Sequence, residues 1–212
     1  QVIYEGTPFQ YPVLGESESL GRLNRKHLAA FHRRKYAPPA TILVVTGDIS
    51  ARQVSDLVQE CFGDWRNPEF NRFTLPSFRR QKQPIAKTRR MDKEQVHILI
   101  GHLGVERSSP DHPALQVLDV ILGSGPGFTS RLPRKLRDEQ GLAYTTFSDI
   151  AGSSGLYPGR FMAYICTSPD KKESALSGLL SEIAAVVESG VTPEELETAQ
   201  DFLTGSFVFE LQ

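Results

Sequence analysis

Hydrophobic positions along this chain fall into short blocks whose spacing switches between that of a helix and that of a strand. Residues 1–19 are polar and turn-rich, with Pro8, Pro12 and Gly15, and predict extended chain rather than a core element. Asn24 is placed to cap a helix carrying Leu28, Phe31 and Tyr36, which Pro38-Pro39 stops. Thr41 to Val45 predicts a buried strand. Ser50 then caps a helix in which Val54, Leu57, Val58, Cys61 and Phe62 share one face, closed by Gly63.

The pattern breaks between Arg66 and Lys93. This stretch has nine Lys/Arg against two acids, contains Pro68, Pro76 and Pro84, and sustains no period, which predicts a solvated linker. The domain reading is therefore residues 1–65, a linker over 66–93, and residues 94–212. Val96 to Leu103 is apolar on both alternations apart from His97 and His102, as an interior strand would be. Ser109-Pro110 opens a helix through Leu115, Leu118 and Ile121 that Gly123 closes. A short helix over Ser130 to Glu139 ends before Gly141, and strands over Leu142 to Asp149 and Leu156 to Cys166 predict a hairpin. Ser168-Pro169 and the capping box Thr192-Pro193-Glu194-Glu195 start the last two helices. The fold class is α+β: a mixed or antiparallel sheet with helices packed on one face.

Composition narrows the function. The 212 residues carry 24 Lys+Arg against 25 Asp+Glu, a formal charge of -1, which disfavours a nucleic-acid binder working by bulk electrostatics. No apolar run approaches the ~18–20 residues of a membrane span. Cys61 and Cys166 stand far apart, outside any metal-ligand spacing, and predict two buried reduced thiols. The chain opens without Met, stops inside a helical pattern, and reads as an excised segment.

The histidines do not form a metal motif. His27 and His32, five apart on a helix, diverge by about 140°, and His97 and His102, five apart on a strand, point to opposite faces. HExxH, HxxEH, GxSxG and a P-loop are all absent. One cluster does carry candidate chemistry: the glycine run Gly123 to Gly127, Ser130-Arg131-Leu132, and Arg137 and Tyr144 on either side of Gly141. A guanidinium and a phenol flanking one turn are both donors and suit an anionic or carbonyl-oxygen target.

At this cluster the sequence resembles the pitrilysin/insulinase family of zinc metallopeptidases, which includes the mitochondrial processing peptidases. Phe9 to Gly15, Leu23 to Pro38, Leu43 to Asp48 and Phe62 to Trp65 look like the closing part of that family's first homologous domain. Gly123 to Tyr144 and Gly190 to Ala199 look like the early and middle parts of its second. The resemblance implies an HxxEH zinc motif upstream of these residues, so the zinc cofactor belongs to the parent enzyme or a partner subunit and no metal is bound here. It also implies that Arg137 and Tyr144 contact substrate backbone and the developing oxyanion. Gly123, Gly125, Gly127 and Ser130 match the loop that engages substrate. The implied partners are a peptide or unfolded polypeptide and a zinc-motif-bearing subunit, with the segment inactive by itself. A non-catalytic partner, or a core subunit of a respiratory complex, resembles the same fold.

Overall fold

The computed structural model describes residues 2–74, 77–127 and 129–210. Pro76 of the predicted linker, Phe128 beside the glycine run and the chain end at Gln212 lie outside them. The chain divides into two units. One is Gly6–Ser77, and the other joins Val2–Glu5 to the residues from Phe78 onward.

The first unit is helical. After α1 (Ser17–Gly21), a short helix within the stretch expected to be extended, come α2 (Arg25–Lys35) and α3 (Ala51–Phe62). The Asn24 side chain accepts from the Lys26 and His27 amides, and Ser50 forms a reciprocal box with Gln53. The strand predicted over Thr41 to Val45 does not form. The stretch is extended but unpaired, and Ile42 is 91% exposed. A strand needs a partner ladder, and the described residues of this unit supply none. Among the described residues the α3 stripe likewise finds no layer to cover it: Leu57 and Phe62 stay half-exposed, and Cys61, expected buried, is exposed.

The second unit holds the sheet. β1 (Val96–Leu103), β2 (Thr145–Asp149) and β3 (Arg160–Thr167) are ordered β1-β3-β2, antiparallel throughout. Val96 stands opposite Thr167, and Thr145 opposite Cys166. β1, predicted interior, is an edge strand here, because the β2–β3 hairpin puts β3 in the middle. Its double apolar pattern has another cause: Ile98 and Ile100 face the core while Leu99 points to the opposite face, 61% exposed.

Helices cover the core face. α4 (His112–Asp119) begins two residues later than Ser109-Pro110 predicts, because Ser109 instead caps a turn, its hydroxyl accepting from the Asp111 amide. α4 runs on into a π-helical turn, Val120–Ser124, and a second π-helix spans Pro133–Glu139. α5 (Lys172–Ser189) and α6 (Pro193–Glu210) follow. Leu122, Leu132, Leu136, Ile150, Ala163, Ile165, Ala175 and Leu179 form the buried centre, and a smaller cluster of Val120, Ile121 and Ala199 fastens α6 to the end of α4. On the other face, Ile3 lies against Gly101, Tyr4 donates from its hydroxyl to the Pro158 carbonyl at 3.2 Å, and Gln81 donates to the Val2 carbonyl.

Candidate functional site

The glycine run is built from the inside out. A Cβ at Gly123 would stand 2.4 Å from the Ser148 amide nitrogen, so only glycine lets the π-turn lie directly on β2. Ser130, 1% exposed, accepts from the Gly125 amide at 2.9 Å and donates to the Val120 carbonyl at 2.8 Å. Gly123, Gly125 and Ser130 are thus turned inward and shape the loop. Gly127 is exposed at φ +60°, with open space where a Cβ would be.

The second half of the site is the turn at Gly141. The π-helix ends with the Gln140 amide donating to Lys135, the Gly141 amide to Arg137 at 3.0 Å and the Leu142 amide to Leu136 at 2.7 Å. Gly141 sits at φ +61°, the left-handed conformation that closes a helix. The Tyr144 amide donates to Cys166, which stitches the chain onto β3 one residue before β2 begins. Arg137 and Tyr144 both reach solvent, on opposite arms of this one turn. Between them they offer guanidinium and phenol donors to a carbonyl or carboxylate oxygen.

Sequence reasoning missed the ion pair beneath the loop. Arg131, 8% exposed, donates from Nε and Nη2 to the two Glu195 carboxylate oxygens at 2.6 Å each, and from Nη2 to the Gly190 carbonyl at 3.0 Å. Glu195 also accepts the Thr192 amide at 2.8 Å, closing the predicted capping box. The Arg131 hydrogen bonds, aided by that amide and opposed by burial, hold the Glu195 carboxyl down to about 2. The box was legible as a helix start. That its glutamate also neutralises an arginine 64 residues away was not.

Among the described residues, no three His, Cys, Asp or Glu side chains are grouped to hold a metal ion. His97 Nδ1 lies 2.7 Å from the Tyr164 hydroxyl, and His102 Nδ1 contacts the Leu103 carbonyl. These residues do not fit a zinc centre. No single helix among them is long and apolar enough to cross a membrane.

Compared with known families, residues 22–203 match the peptidase M16 inactive domain. The chain belongs to the peptidase M16 family. This M16 chain is 30% identical to an uncharacterized zinc protease of Mycobacterium leprae over 97% of its own length and 46% of that protein. It is 28% identical to an uncharacterized zinc protease of Bacillus subtilis, over 95% of the chain and 47% of the relative. It therefore spans about half the length of these curated relatives. Among solved structures, the peptidase M16 inactive domain from Pseudomonas fluorescens superposes with a TM-score of 0.80 at 24% identity, covering 96% of this chain and 48% of that one. A chain of Complex III from Candida albicans superposes at 0.72 and 17% identity, over 99% of this chain and 50% of that one. These two likenesses concern the fold, and they agree with the α+β arrangement of helices on an antiparallel sheet.

Proposed function

We propose that this M16 chain is the substrate-holding part of a zinc metalloendopeptidase, with the zinc held outside these residues by the parent protein or by a partner subunit. The observation that carries the reading is the Gly141 turn in a chain of this family: Arg137 and Tyr144 stand exposed on its two arms, on backbone fixed by four hydrogen bonds. Tyr144 donates from its phenol to the carbonyl oxygen of the scissile peptide, and Arg137 orients the substrate backbone. Gly127, at the tip of a loop anchored by Gly123, Gly125 and Ser130, lies against the extended peptide. Residues 1–65 close the first peptidase-like domain, 66–93 link, and 94–212 form the first and middle parts of the second. Leu28 and Phe31 on α2 are more than half exposed, and this face and that of α3, uncovered among the described residues, suit a segment completed by further chain.

In the full-length parent, Arg137→Ala with Tyr144→Phe is expected to lower kcat/KM for an unstructured peptide by at least about 10-fold, without loss of fold. Unchanged kinetics would overturn the assignment. The likeness to a Complex III chain favours a second reading, a non-catalytic partner or core-type structural subunit. Elemental analysis of the purified parent separates the two: about one zinc per chain marks a self-contained peptidase, whereas none marks a partner or structural subunit.

A further inference from the structure

The turn that carries Arg137 and Tyr144 is held from behind by α5 and the residue preceding it. Lys135, two positions before Arg137 in the π-helix, places its Nζ 2.9 Å from Glu182 Oε2 on α5. The Glu182 side chain is 10% exposed, and Oε2 has no hydrogen-bond donor among the described residues, so charge compensates it: that of Lys135 in direct contact and that of Arg131 nearby. One turn earlier on α5, Gly178 admits the π-helix: a Cβ there would meet Leu136 at 2.8 Å. Lys171, just ahead of α5, donates to the Gly141 carbonyl at 2.9 Å. Three contacts thus hold one seven-residue π-helix and its closing turn.

We propose that Glu182 is a positioning residue for the Arg137–Tyr144 turn, acting through Lys135 to fix the π-helix on α5. A π-helix is seldom stable by its own hydrogen bonds and persists where packing enforces it. Its wider turn sets the direction in which Arg137 leaves the backbone. A buried carboxylate gripping the residue two places earlier is well placed to enforce that geometry. Breaking the pair removes that restraint, while the apolar contacts of Leu132 and Leu136 keep the element on the core.

This inference rests on the reading of Arg137 and Tyr144 given above for its catalytic consequence, but not for its structural one. In Glu182→Gln, amide exchange at Gly141 and Leu142 is expected to accelerate at least about 10-fold relative to the wild-type chain, while the Ala163 and Ile165 amides of β3 keep their protection. Lys135→Gln, which removes the other partner, is expected to do the same. In the full-length parent, Glu182→Gln is expected to lower kcat at least about 5-fold with KM little changed, and to cause no further loss in an Arg137→Ala background. Unaltered exchange at Gly141 and Leu142 in both variants overturns the proposal whether or not the parent is a peptidase. An equal loss of kcat in the wild-type and Arg137→Ala backgrounds overturns it too. An inactive wild-type parent would instead count against the peptidase reading, and the exchange result would still decide the positioning role.

Discussion

Arg131→Ala is expected to destabilise the sheet-bearing unit by about 3–5 kcal/mol, the usual result of stranding one partner of a buried ion pair. At about 2–4 °C per kcal/mol for a chain of this size, Tm should fall by roughly 10 °C. The loss is large because Glu195 is only 18% exposed on its side chain and would keep its charge with its bidentate partner gone. Replacing both members, as in Arg131→Met with Glu195→Gln, should recover a substantial part, since Glu195 is then not left as an unpaired charge. The same pair gives an acid limb. A carboxyl held down to about 2 in the folded chain stabilises it above the unfolded carboxyl value of about 4.3, and that stability is lost as pH falls toward 2. The lowering corresponds to about 3 kcal/mol. Urea midpoints at pH 6, 4 and 3 should converge between wild type and the double variant. Parallel curves would show that the pair does not carry the limb.

Gly123→Ala should cost about 3 kcal/mol, at the upper end for overpacking, even though it adds a single methyl group. Its Cβ would meet β2 backbone at 2.4 and 2.9 Å, and no side-chain rotation relieves a clash with an amide nitrogen and a carbonyl carbon. The π-turn must lift off β2, taking Leu122 and Ile121 partly out of their clusters. Gly127→Ala is the contrast: nothing lies within 4 Å, so the cost is only the about 1–2 kcal/mol of a left-handed alanine. Denaturation midpoints of the two variants check this. Equal costs would mean that Gly123 matters for conformation rather than for contact.

The elements with strong local signals were legible in the sequence. Asn24, Ser50 and Thr192 each sit at a helix start because a side-chain oxygen satisfying free amides is a property of a few adjacent residues. β1 appeared with its predicted bounds. What failed depended on distant partners. Among the described residues, Thr41 to Val45 has a strand's composition but no ladder to join, and Cys61 faces outward because no layer covers α3. In the site, the positions of Arg137 and Tyr144 on one turn could be read from Gly141 and the hairpin pattern. The inward commitment of Ser130, the Arg131–Glu195 pair and the grip of Glu182 on Lys135 could not. Each joins residues 10 to 64 positions apart, beyond any periodicity.

The N-terminal strap Val2–Glu5 belongs to the sheet-bearing unit, although Gly6–Ser77 separates it in sequence from the rest of that unit. Its ties include the Tyr4–Phe78 ring contact at 6.2 Å, edge to face, the Tyr4 hydrogen bond to Pro158 and the Gln81 hydrogen bond to the Val2 carbonyl. None of these three belongs to the ladder that joins β1, β3 and β2. Under load applied between the N-terminal residues and α6, the strap should therefore peel away before the strands part.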